Sequence, residues 1–236
     1  MVGVLLIATW LSLSPAAEEP NLVAPPGDET PEAAALIDRA SAALKSGKTP
    51  ADLLADPAFM AAHPWPRFRG LISDNSRSSR TVLVTPEEPG EPMVVTGSVK
   101  GPDGRPLADA LVYVYQTSAK GWYSDKAPHV SGMSGDTRHA RLFGYMRSDA
   151  KGAFEFRTVH PAGYPRSDLP AHIHIHVTPA GAGGGGLVSE IRFDDDPQMT
   201  PAMTEASRRE GFLVCHVTRG TGGVLAVRAD FTVPSN

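Results

Sequence analysis

In the segment from Pro170 to Val177 three imidazoles alternate with branched aliphatic residues: His172-Ile173-His174-Ile175-His176-Val177. Period two is the mark of a half-buried β-strand, and side chains two apart share a face at a separation of about 6.5 Å. His172, His174 and His176 therefore stand on one face, with Ile173, Ile175 and Val177 on the other. Neutral imidazole is the commonest protein metal ligand, and burying three such groups unpaired costs free energy. Convergence of two of them on one metal ion is one reading; a surface tract or an adventitious metal site is the other. Just upstream, Gly163-Tyr164-Pro165 adds a phenol held by turn residues. His63, His129, His139, His160 and His216 show no comparable pattern and read as surface or structural residues.

A strand of this kind needs a sheet around it, and the rest of the chain reads as one. The 236 residues fit one large domain, or one domain with an appendage. A net charge of −4 without a Lys/Arg run argues against nucleic acid as a partner. Gly 23 and Pro 22 suit a turn-rich β protein. The lone Cys215 excludes an intramolecular disulfide framework and reads as a small buried hydrophobe. Residues 1–17, an apolar run from Val2 to Leu11 followed by Ser14-Pro15-Ala16-Ala17, read as an export signal, although no Lys or Arg precedes them. The expected location is thus periplasmic or extracellular, with no membrane association once the signal is removed.

Residues 18–29 are Pro-rich and polar, as in a linker. Residues 30–80 form a small helical and extended segment. Thr30-Pro31-Glu32 and Thr49-Pro50-Ala51-Asp52 each place an N-cap before a proline at the first helical position. Leu36, Ile37, Ala40 and Leu44 give the first helix an apolar stripe, which must pack on the main domain or a second subunit. His63-Pro64-Trp65-Pro66 is expected to end the helical part. Residues 81–236 break into short strands with turn chemistry between them: 94–99, 110–115, 153–158, the histidine strand, 187–193, 212–217 and 224–233. The fold class is mainly β, an antiparallel β-sandwich.

Gly121-Trp122-Tyr123 after the strand ending at Gln116, Gly163-Tyr164-Pro165, Pro170-Ala171-His172-Ile173-His174, and Leu187 to Phe193 followed by Asp194-Asp195-Asp196-Pro197 together resemble the intradiol ring-cleavage dioxygenases, the catechol 1,2- and protocatechuate 3,4-dioxygenase group. The resemblance runs from about Val94 to Pro197, and Gly-Tyr-Pro before Pro-Ala-His-Ile-His is its most specific part. It implies a non-haem Fe(III) site held by Tyr123 (axial), Tyr164 (equatorial), His172 and His174. Fe(III) is a hard cation, and two phenolates with a hydroxide would balance its charge. The implied reaction takes a catecholic substrate and O2. Tyr123 would leave the metal and take a proton, and the ring would open between its hydroxyl-bearing carbons to a cis,cis-muconate-type diacid, with no organic cofactor. Members of that family commonly assemble, and the N-terminal helices could serve a homo-oligomer interface.

Tyr145 competes with Tyr123 for the axial place, whereas Tyr113 and Tyr115 read as ordinary strand aromatics. His176 and Trp122 are expected around the metal or in the pocket wall. Two departures from the family bear on the substrate. Leu169 stands where the well-known enzymes carry an arginine thought to stabilise charge on the ring, a contribution of several kcal/mol; Arg166 and Arg192 are candidate substitutes. Glu190 stands where glutamine is usual, and a carboxylate there would repel carboxylated catechols or accept a proton from neutral or amine-bearing ones. Two other classes fit parts of the chain. Val95 to Ala110 fits a transthyretin-like or carboxypeptidase-regulatory-like binding module, which needs none of Tyr123, Tyr164, His172 and His174. A copper or zinc protein could use His172, His174 and His176, but neighbouring phenols favour iron.

Overall fold

The computed structural model describes residues 29–124, 140–165, 167–181 and 186–234. The expected export signal, the linker up to residue 28, Arg166, His129, His139 and residues 182–185 of the glycine tract lie outside the described residues. Helix α1 (Pro31–Lys45) starts where Thr30 Oγ1 accepts the Ala33 N–H. Helix α2 (Pro50–Ala55) starts on a capping box between Thr49 and Asp52. A 3-10 turn (Pro57–Ala62) leads to α3 (Pro66–Asn75). The helical part thus continues past Pro66, because a proline at the first helical position lacks only an N–H that would have gone unused.

The strands are β1 (Arg80–Val82), β2 (Pro92–Lys100), β3 (Leu111–Gln116), β4 (Leu142–Arg147), β5 (Ala153–Val159), β6 (His172–Thr178) and β7 (Leu187–Phe193). Helix α4 (Pro201–Arg209), β8 (Leu213–Cys215), β9 (Val217–Arg219) and β10 (Leu225–Thr232) complete the order. Two five-stranded sheets result, β1-β5-β2-β10-β9 and β4-β3-β6-β7-β8. They are mixed and not purely antiparallel, since β1 with β5, β2 with β10 and β7 with β8 run parallel. Side-chain alternation sets which face of a strand is buried and is silent on its direction, so this correction could come only from pairing. The stretch 212–217 is also two strands, one in each sheet. Asp194 lies at the break: its carboxylate accepts from the Val217 N–H and the His216 ring.

Between the sheets Val95, Val112, Val114, Phe154, Phe156, Ile173, Ile175, Val177, Ile191 and Phe231 form one apolar core. The aliphatic face of β6 is spent there, which turns its imidazoles to the outside of the second sheet. That outer face is covered in turn. Ile37, Leu53, Leu54, Phe59, Phe68 and Ile72 of the helical segment pack with Tyr113, Tyr115, Tyr123 and Phe143. Arg69 of α3 anchors the contact, donating to Tyr113 Oη and to the Ala140 carbonyl with its guanidinium 3.8 Å from the Phe143 ring centre.

His63 is sealed into the same contact, its Nδ1–H donating to the Arg141 carbonyl at 2.7 Å and its ring stacked on Phe68. Burial is the main force pushing this imidazole down to about 4, against an ordinary 6.5. The folded protein therefore binds this proton less readily than the unfolded chain does. The associated stability is complete above pH 6.5 and is lost as pH falls towards 4. At about 1.4 kcal/mol per tenfold change in proton affinity, the loss is roughly 3 kcal/mol. Denaturant titrations between pH 7 and 4 should show this slope in the native protein and not in a His63→Asn variant.

Candidate metal centre

The outer face of β6 and two loops converge on one point. Strand pairing sets His174 opposite both Tyr115 of β3 and Glu190 of β7, and His172 opposite Arg192. The loop after β3 carries Tyr123, and the loop before β6 carries Tyr164. The Ser118 carbonyl ties these loops together by accepting from both the Gly121 and Ala162 N–H groups. Thr117 Oγ1 adds a bond to the Ala162 carbonyl at 2.7 Å. Both glycines before the tyrosines are required by this crossing. A Cβ on Gly121, whose φ is +76°, would lie 2.1 Å from the Gly163 carbonyl oxygen, and one on Gly163 would lie 2.8 Å from the Leu169 carbonyl oxygen.

The result is a four-atom cage. Tyr123 Oη and Tyr164 Oη are 2.6 Å apart. Tyr164 Oη is 3.0 Å from His172 Nε2 and 3.5 Å from His174 Nε2. The two Nε2 atoms are 3.1 Å apart, and His174 Nε2 is 2.9 Å from Tyr123 Oη. An ion about 2.0–2.1 Å from nitrogen and oxygen donors needs neighbouring donors roughly 2.8–3.4 Å apart. Three of the five distances fall within that range, and the Tyr123–Tyr164 and Tyr164–His174 distances, 2.6 and 3.5 Å, lie 0.1–0.2 Å outside it, so small side-chain shifts would seat such an ion.

Both imidazoles are presented in the right form. The Pro170 carbonyl accepts from His172 Nδ1 at 2.8 Å, which leaves the Nε2 lone pair facing the cage. Burial, followed by the neighbouring His172, His176 and Arg192, pushes His174 down to about 2, so its ring is neutral and able to ligate. Glu190 Oε1 lies 3.8 Å from Nδ1 of His174, on the side of the ring away from the cage. His172, His174 and Glu190 do form a cluster of potential metal-binding groups, but the carboxylate faces the wrong nitrogen to join the other donors.

The remaining residues singled out from the sequence fall in different places. Tyr145 stacks on Tyr113 at 4.5 Å, so the tyrosine brought to the cage is Tyr123. His176 packs edge-on against Tyr113 and Tyr115, one step along the strand from the cage. Leu169 is exposed. Trp122 lines a cavity of about 720 Å³ with Met60, Lys120 and the Glu88–Arg141 ion pair. Arg192 is no ready substitute for the absent arginine: it is buried and engaged with Glu190, Ser207 and the face of Phe212. That pairing also offsets the Glu190 charge which the sequence suggested would repel carboxylated substrates.

Two groups support the site although neither stands out in the sequence as doing so. Tyr115 stacks face to face on His174, with ring centres 4.4 Å apart and an interplanar angle of 10°. The cross-strand neighbour of His174 could have revealed it, had the pairing of β3 with β6 been known. Asp196 accepts the Ala171 N–H at 2.8 Å and so fixes the entry to β6; its place in an acidic run gave no such signal.

A family model described as dioxygenase matches residues 66–231. Catechol 1,2-dioxygenase 1 of Acinetobacter lwoffii is 31% identical over 164 residues, covering 62% of this chain and 50% of that protein. The protocatechuate 3,4-dioxygenase beta chain of Burkholderia cepacia is 34% identical over 114 residues, covering 46% of this chain and 47% of that one. The chain spans about half the length of these curated relatives. Among solved structures, the dioxygenase domain of a dioxygenase–carbohydrate-binding protein fusion from Streptomyces sp. SirexAA-E superposes with a TM-score of 0.51 at 28% identity, covering 68% of this chain and 90% of that one.

Proposed function

The chain belongs to the intradiol dioxygenase family, and from this membership and its four-donor cage we propose that it is a non-haem Fe(III) enzyme which opens a catecholic ring with O2 to a cis,cis-muconate-type diacid. The observation that carries this reading is the closure of two phenol oxygens and two imidazole nitrogens into one cluster, joined by five contacts of 2.6–3.5 Å. Tyr123, Tyr164, His172 and His174 would hold the ion. When bound, ferric iron acidifies the phenols and the substrate diol and makes the ring carbon reactive towards O2.

The protein's own part is binding, orientation and proton handling. Tyr123 Oη, 2.6 Å from Tyr164 Oη, is placed to take the proton of an incoming catechol hydroxyl. Its backbone stays fixed meanwhile, because the Arg141 N–H donates to the Tyr123 carbonyl at 2.9 Å. Tyr115 holds the plane of His174 from behind, and burial of Tyr123 and His172 keeps water from the donor side. A binding module has no use for this convergence. A copper or zinc protein would call on His176, which packs on tyrosines away from the cage.

Iron-loaded protein should be red-brown from tyrosinate-to-iron charge transfer. It should consume O2 stoichiometrically with catechol, without NADH, and release a product with the spectrum of a muconate. Protein that stays colourless with iron and instead retains stoichiometric zinc or copper would overturn the assignment.

A further inference from the structure

The two cage histidines are oriented by different means. His172 gives its Nδ1–H to a backbone carbonyl, as a neutral acceptor. His174 faces a carboxylate, and that carboxylate is itself built in. Glu190 Oε2 accepts from Arg192 Nε at 2.9 Å and lies 2.8 Å from its Nη2, which turns Oε1 towards His174 Nδ1 at 3.8 Å. The guanidinium is locked in turn: Nη1 donates to Ser207 Oγ at 2.8 Å, and the group lies 4.4 Å from the Phe212 ring centre. Ser207 completes the line by donating to the Met203 carbonyl within α4.

Burying a charged pair is a poor route to stability, since apolar side chains of similar volume do as well or better. The pair also sits on the sheet face that carries the cage, directly across from His172 and His174. We infer that Glu190, aimed by Arg192 and Ser207, is a positioning residue for His174: its charge, 3.8 Å from Nδ1 and so acting across more than hydrogen-bond length, favours the Nδ1–H tautomer with Nε2 directed into the cage and makes that nitrogen the more electron-rich of the two imidazole donors. Carboxylates behind metal-bound histidines act in this way, and their loss weakens metal binding about 10- to 100-fold. Glu190 is then a group acting on the metal through His174, and not a group that selects substrate by charge.

The inference rests on the proposed metal centre, but its test separates the two. Glu190→Gln keeps the side chain's size and removes its charge. Cobalt(II) affinity, measured by chelator competition, should fall about 10- to 100-fold, and in the iron-loaded protein the visible band should move to longer wavelength and the ferric/ferrous midpoint to more positive potential. Thermal unfolding of the metal-free variant controls for a merely structural pair. Unchanged cobalt affinity and an unmoved band would overturn the positioning role, whatever happens to stability. If Glu190→Gln leaves Arg192 unpaired and the protein fails to fold, Glu190→Gln/Arg192→Met removes both charges and carries the same readouts. Native protein that takes up cobalt but shows no colour with iron would sink the proposed function alone, and the cobalt comparison would still decide the role of Glu190.

Discussion

Tyr164→Phe should abolish the charge-transfer colour of the iron-loaded protein and reduce catechol cleavage to background, while leaving the fold intact. Its Oη is the hub of the cage, with the three other donor atoms at 2.6, 3.0 and 3.5 Å. Taking away this oxygen would remove one of the two anionic ligands proposed for the ferric ion, and nothing in phenylalanine replaces it. Loss of a group one step removed from a metal costs 10- to 100-fold in affinity, so loss of a donor itself should exceed about 100-fold. The stability cost is small by comparison, on the order of 1 kcal/mol for one hydrogen bond. Metal content after dialysis and the visible spectrum read out the first effect, and denaturant unfolding of the metal-free protein the second. Colour unaltered in Tyr164→Phe would remove this residue from the ligand set.

What could be read from the sequence follows from the range over which each signal acts. The face of β6 was readable because alternation is local: one aliphatic set must enter a core, so the imidazoles must leave it. Thr30 and Thr49 were readable as helix starts because a cap involves only three or four neighbouring residues. The parallel pairing of β2 with β10 was not, because it joins the two ends of the sandwich and leaves no mark on either strand alone. Pro66 misled because the same ring ends one helix and opens the next. Within the site the donors were visible as residue types at short spacing, whereas Tyr115, Ser207 and Asp196 act across strands or from α4. Arg192 shows the limit most clearly. Its position two residues after Glu190 put both on one face, but whether the cation served a substrate or its own neighbour depended on Ser207 and Phe212, which the sequence places far away.

Gly121→Ala should disable the centre from a position that touches no ligand. At Gly121 the backbone has φ +76°, which costs an alanine about 1–2 kcal/mol. That strain alone is tolerable, and Gly104 provides the comparison: its φ is +78°, but an added Cβ meets nothing within 4 Å. Gly104→Ala should therefore lose about that much stability and keep full metal binding. At Gly121 the new methyl would stand 2.1 Å from the Gly163 carbonyl oxygen and 3.1 Å from Pro165 Cδ, both in the loop that carries Tyr164. The only relief is for the two loops to move apart by roughly the 1 Å of overlap, and Tyr123 and Tyr164 travel with them. Displacement by 1 Å at a reacting centre can cost about 100-fold in rate, so oxygen uptake with catechol should fall by at least that factor, and iron binding with it. Should Gly121→Ala match Gly104→Ala in both stability and activity, the loop crossing does not set the distance between the two phenols, and the sheet must hold them by itself.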